Sequence, residues 1–191
     1  MSVTSAKSGA TGISLALDNN YMEPIATTVV GSSGANVVIF NDIPQTYKHL
    51  QIRGIARSSA GTTGGDYPYI KFNSDNTSGT INYSYHRLIG DGATVAASGS
   101  GSSDFILGGY IPMNSYTNIY GTFVIDILDY ANTNKFKTLR TLNGYDANGS
   151  GTVSFMSGCW QNTDAINSIT INQGGNNFTQ YSRFSLYGIK G

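Results

Sequence analysis

The sequence predicts an all-β chain: an antiparallel β-sandwich of jelly-roll topology, preceded by an extended N-terminal arm. Three observations predict it. From Ile25 onward, apolar stretches alternate with polar turn clusters, and inside the stretches the apolar residues recur every second position. Thirteen Tyr, eight Phe and one Trp sit among many Val and Ile, and 39% of the residues are hydrophobic. These residues suit a pleated, half-buried surface and suffice for a core. Helix formers are scarce, with a single Glu (Glu23) and six Lys against 24 Gly, 22 Ser, 19 Thr and 18 Asn. No segment of ten or more residues has helical periodicity.

Residues 1–24 are rich in Ser, Thr, Ala and Gly, with one apolar patch at Ile13, Leu15 and Leu17. They read as an extended arm that orders against a partner, with a frayed terminus as the alternative. The sandwich domain is expected over 25–191. Ile25–Val30 and Val37–Phe40 flank Gly31-Ser32-Ser33-Gly34 and read as a hairpin. In Lys48–Arg57, Leu50, Ile52 and Gly54 face one way and His49, Gln51 and Arg53 the other. Strands are expected next at Tyr67–Phe72 and Thr80–Leu88, with Ile81, Tyr83 and Tyr85 on one face of the latter. Gly90–Ser103 reads as a low-complexity loop whose side chains are too small to pack. Phe105–Tyr110, Ile119–Leu128, Lys135–Leu142, Val153–Trp160, Ile166–Asn172 and Arg183–Ile189 complete the set. Phe123, Ile125 and Ile127 are assigned to the core, with Thr122 and Asp126 opposite. Eight to eleven strands joined by polar turns suit two packed antiparallel sheets.

Composition also bounds function. Eleven basic and eleven acidic residues give zero formal charge, and only 12% of residues are charged. Binding to nucleic acid through phosphate contacts therefore has little support. The apolar runs are too short to span a membrane as a helix, and no charged segment followed by an apolar one suggests a secretory signal. A lone cysteine, Cys159, excludes an intrachain disulfide.

Few residues offer catalytic chemistry. The two histidines, His49 and His86, each fall on the polar face of an alternating strand and read as solvated side chains. Asp126 and Asp129 are the nearest carboxylate pair, but an offset of three places them on opposite strand faces, while Glu23 falls in the arm. Asp146-Ala147-Asn148-Gly149-Ser150-Gly151 matches the first half of a calcium loop. Its twelfth position is Ser157, so an Asx/Gly hairpin turn is the simpler reading. Cys159 beside Trp160 reads as a small buried hydrophobe. No catalytic residue, metal or cofactor is expected. The tyrosines Tyr67, Tyr69, Tyr83, Tyr85, Tyr110, Tyr116, Tyr120, Tyr130 and Tyr145 are numerous for so few charges. Singly, each is expected in the core or its rim; together, some are expected on an adhesive protein- or glycan-facing surface.

Four stretches carry a resemblance: Pro24–Gly54, Ile81–Gly92, Val124–Asp146 and Ile166–Lys190, including the phrases IPQTYKHL and SRFSLYGIK. Together they resemble virion proteins of tailed bacteriophages, in particular tail-fibre-like and capsid-decoration domains. The resemblance implies a non-enzymatic virion component built on a β-sandwich, often oligomeric, made in the bacterial host cytoplasm and seated on the particle surface. It implies no catalytic residue.

Two functions follow as expectations. The first is a capsid decoration or cement protein, or the capsid-bound part of a head fibre. Such a protein binds the major capsid protein and other virion proteins as a homo-oligomer, a trimer or dimer. The second is a receptor-binding module of a tail fibre that contacts host surface glycan. A polysaccharide-degrading enzyme is the third class and lacks a visible acid pair. Neither nucleic acid nor membrane is an expected partner.

Overall fold

A computed structural model describes residues 21–61, 64–75 and 81–191. Among these residues there is no helix, and fourteen strands follow one another. They are β1 (Met22–Val29), β2 (Val37–Phe40), β3 (His49–Ala56), β4 (Gly65–Asp66), β5 (Tyr69–Phe72), β6 (Tyr83–Gly90) and β7 (Val95–Ser103). Then come β8 (Ile106–Leu107), β9 (Ile111–Pro112), β10 (Gly121–Leu128), β11 (Lys137–Asp146), β12 (Gly151–Trp160), β13 (Ile169–Asn172) and β14 (Arg183–Ile189).

Eight strands form one sheet in the order β1-β14-β3-β10-β11-β12-β6-β7, four form a second in the order β2-β13-β5-β8, and β4 pairs with β9. Every pairing is antiparallel. One buried cluster joins the sheets. Val38, Phe40, Ile70, Phe72, Ile106, Ile169 and Ile171 from the smaller sheet pack with Leu50, Ile52, Phe123, Ile125, Ile127, Leu139, Phe184 and Leu186 from the larger. This is the β-sandwich that the two-residue periodicity predicts. The eight-plus-four strand order does not confirm a jelly roll.

Period two explains the register where the phase is unambiguous. In β3 and β10 the expected residues face the core: Leu50 pairs with Ile127, Ile52 with Ile125 and Gly54 with Phe123. Gly54 is required there, since a Cβ would lie 2.0 Å from Cζ of the Phe123 ring. The same device lets the sheets approach at β12, where a Cβ on Gly158 would lie 2.3 Å from Cγ2 of Ile106 in β8. The two large rings Tyr83 and Trp160 stack at 6.3 Å between centroids, with Phe72 tilted against both. The Tyr83 hydroxyl accepts from the Phe72 N–H at 3.0 Å, so its polar end is satisfied inside the core.

The structure corrects several expected elements. Ile25–Val30 and Val37–Phe40 do not form a hairpin: β1 pairs with β14 in the large sheet and β2 with β13 in the small one. Gly31–Gly34 is a real turn, with the Gly34 N–H donating to Gly31 O at 3.1 Å, but it arches between sheets. Gly90–Ser103 is not a loop throughout; Val95–Ser103 is the nine-residue strand β7, paired with β6. Ile81 precedes β6 and is exposed. The arm expected over 1–24 lies outside the described residues except at its end, where Met22–Pro24 already belong to β1. Glu23 there accepts from the Tyr47 hydroxyl at 2.9 Å and pairs with Lys190 at 2.6 Å.

Candidate binding face

The face of the eight-stranded sheet that points away from the core changes character along its width. Directly opposed residues share a face, so each register row is a line across the sheet. One outward row runs Thr27, Ser185, Arg53, Val124, Leu142, Phe155, Leu88, Ala97. Its first three members are polar and the rest are apolar. The next outward row ends Thr122, Gly144, Val153, Gly90, Val95. On β11, β12, β6 and β7 the outward apolar residues are well exposed: Val95 75%, Leu142 58%, Val153 58%, Leu88 51% and Phe155 50%.

The inward face changes to match. Where β3 and β10 turn Ile and Phe to the core, the adjoining parts of β11 and β12 turn in Thr141, Asn143 and Ser154. These polar groups are buried, and most are satisfied. The Asn143 amide donates to Tyr110 O at 2.6 Å, and the Ser154 hydroxyl donates to Asn143 Oδ1. Thr141 Oγ1 has no hydrogen-bond partner. Around Thr141, Asn143 and Ser154, polar side chains face in beneath Leu142, Val153 and Phe155, which face out, while Leu139 and Met156 on the same strands face the core and Arg140, Ser157 and His86 face outward. Contiguous exposed apolar area of this kind marks an interaction surface.

Two glycines shape the face into a groove. Gly90 and Gly144 flank Val153 in register and contribute no side chain, which leaves an open groove of about 750 Å³ floored by Val124, Leu142 and Val153. Two hairpin turns rim it. Between β11 and β12, Asn148 (φ 58°) and Gly149 (φ 98°) are both left-handed, and the Ala147 N–H donates to Ser150 O at 2.6 Å. Asp146 Oδ1 accepts from the Asn148 N–H at 2.7 Å. Asp146–Gly151 is therefore a hairpin turn closed by its own Asx hydrogen bond, as the sequence reading favoured. Between β6 and β7, Asp91 accepts from the N–H groups of Thr94 and Ala93 and from the Thr94 hydroxyl, which together hold its carboxyl below the usual range.

The residues singled out for chemistry are not brought together. His49 and His86 sit on β3 and β6, four strand spacings apart, about 19 Å. His49 Nδ1 accepts from the Asp129 N–H at 2.9 Å and lies 3.5 Å from Asp129 Oδ1. His86 is exposed on the outward face opposite Ser157 and Gly99. Asp126 faces outward, accepting from Gln51 Nε2 at 2.7 Å and pairing with Arg140 at 3.0 Å. Asp129 lies in the turn beyond β10 with Lys135 and Lys48. Each carboxylate is thus tied to a cation, and hydrogen bonding and charge from Lys135 and then Lys48 hold the Asp129 carboxyl below its ordinary value. Cys159 faces outward between Thr138 and Ser84 and is half-buried rather than a core residue; burial pushes its thiol up.

Among the nine named tyrosines, Tyr83 and Tyr130 are buried and the other seven half-buried. They make internal contacts: Tyr67 packs edge-on to Tyr110 under Arg87, and Tyr69 stacks on Phe105 at 3.8 Å. None of the nine is among the large exposed side chains, whereas the outward rows of the large sheet expose Leu88, Val95, Leu142, Val153 and Phe155. The signal for that exposure was the outward phase of Leu142, Val153 and Phe155, which the sequence alone leaves undecided.

Among known proteins, no family model, curated relative or solved structure matches the chain.

Proposed function

We propose that this chain is a structural protein of a tailed-bacteriophage virion that decorates or cements the capsid by binding neighbouring capsid subunits. The observation that carries the reading is the exposed apolar patch of Leu88, Val95, Leu142, Val153 and Phe155 on the outward face of the large sheet. Its outward apolar rows have no cover within the described chain, and hydrogen-bonded polar groups lie beneath them. A free monomer gains nothing from that arrangement, whereas a copy seated on a shell buries it. Burial contributes about 25 cal/mol for each Å² of apolar surface removed from water. The resemblance of the four quoted stretches to phage virion proteins supplies the particle, and a formal net charge of zero leaves little long-range repulsion between packed copies.

A second reading, a glycan-binding module of a tail fibre, draws on the groove, whose rim carries Asp91, Tyr145 and Asp146. Both aspartates already hydrogen-bond within their own turns, which leaves them fewer acceptor positions for sugar hydroxyls.

One comparison separates the two. Phage particles lacking the protein are expected to lose heat and osmotic stability while still adsorbing to host. Full shell stability with lost adsorption would overturn the first reading in favour of the second.

A further inference from the structure

The large sheet ends in two free edges that differ in kind. On β1 the edge is blunted: Pro24 lies in the strand, Glu23 beside it is charged, and the register shifts between Pro24 and Ala26. These devices discourage strand addition. The β7 edge has no proline and no charge, and its one register shift lies at the far end, between Ser100 and Ser103, leaving Val95–Ser100 in regular register with β6. Its nine residues are Val95–Ser103 (VAASGSGSS), and among the described residues β6 is its one strand neighbour. Its side chains are small, so a further strand can approach closely.

This edge continues the apolar face. Val95 and Ala97 close the outward rows that contain Val153, Phe155 and Leu88, while Ala96 and Ser98 face the other way. A strand added beside β7 would extend both rows by one residue if its apolar residues fell on alternate positions. Residues 13–18 have that pattern: Ile13, Leu15 and Leu17 alternate with Ser14, Ala16 and Asp18.

We propose that the segment Ile13–Leu17 of one copy adds as a strand to the β7 edge of a second copy, placing Ile13, Leu15 and Leu17 against its outward apolar rows. Reach makes the contact intermolecular. The described chain begins at Tyr21, next to β1, and β1 and β7 are the opposite edges of the sheet, seven strand spacings apart, or about 34 Å. The apolar rows lie a further four residues along the strands from the Met22 row, about 13 Å. Fully extended chain carries Leu17 at most about 14 Å from Tyr21, and Ile13 about 29 Å. Neither residue spans the sheet of its own copy. The contact joins the β1 side of one copy to the β7 side of the next, a head-to-tail interface that makes a ring where the rotation between copies closes and a filament where it does not. Register is fixed by the alternation, because a slip of one residue would turn the apolar side chains off the face. The contact needs only a second copy of this chain, so particle occupancy is not its readout.

Sedimentation equilibrium at micromolar concentration tests it with wild type, Leu15→Asp/Leu17→Asp and Ala97→Lys. Wild type is expected at a multiple of the chain mass. Both variants are expected at the single-chain mass with the circular dichroism of wild type, which for Ala97→Lys follows from the exposure of Ala97. In a Cys159→Ser background, a bismaleimide should couple an Ala16→Cys chain to a Ser98→Cys chain in a mixture of the two. A wild-type monomer would overturn the proposal. So would variants that keep the multimeric mass, the sign of faces packing on each other without the arm, and so would absence of the mixed cross-linked product.

Discussion

Leu139 and Leu142 stand three residues apart on β11 and point to opposite sides of the sheet. Leu139 is 1% exposed and pairs with Ile127, whereas Leu142 is 58% exposed and pairs with Phe155. Leu139→Ala is expected to cost about 2–5 kcal/mol in urea unfolding, the usual range for a core truncation. Leu142→Asn should change stability by no more than about 0.5 kcal/mol. An equal cost for the two would contradict the assignment of faces. Beneath Leu142, Asn143→Ala removes the donor to Tyr110 O and the acceptor of the Ser154 hydroxyl. Leaving those buried groups unpaired should cost about 1–3 kcal/mol by the same measurement. The sequence announced some of these orientations and hid others. Phe123, Ile125 and Ile127 alternate with Thr122 and Asp126, so one phase is apolar and the other polar. In β12, Val153 and Phe155 occupy one phase and Met156 and Trp160 the other, so alternation alone leaves the core side undecided.

At the scale of elements, the misses share a cause: local signals do not say what a strand pairs with. Gly31–Gly34 is a turn, but the same residues serve a hairpin or an arch between sheets, and pairing with β14 and β13 decides for the arch. Strand β7 has no hydrophobic period to read, because Ala, Ser and Gly fill it; pairing with β6 makes it a strand. The turns were legible where their chemistry is local, as at Asn148-Gly149, where both residues adopt positive φ. Strand β1 carries a pH-dependent tie. Hydrogen bonds from Lys190 and then Tyr47 hold the Glu23 carboxyl below its ordinary value of 4.5. A carboxyl lowered by folding stabilises the fold fully above its unfolded pKa, and that contribution is lost as pH falls through the lowered folded value. Melting of wild type and Glu23→Gln should therefore differ at pH 6 and converge at pH 3. A gap that persists or widens in acid would show that the charge is not the tie.

For the whole molecule, low charge and an abundance of Gly, Ser, Thr and Asn describe a β-sandwich with polar turns and, among the described residues, an unblunted β7 edge. The fold class was legible because period two and aromatic content act over the whole chain. The candidate face was not, because it depends on which half of one sheet the small sheet and the 105–120 segment cover. The proposed capsid-binding surface is the set of outward rows on β11, β12, β6 and β7. The most direct test strips particles of the protein and reloads them with wild type or with Leu142→Asp/Phe155→Asp, then measures the temperature at which the shell releases its DNA. The account predicts that wild type restores the higher release temperature and that the double variant, though folded, neither occupies the particles nor restores it. Full occupancy and full restoration by the double variant would contradict the claim.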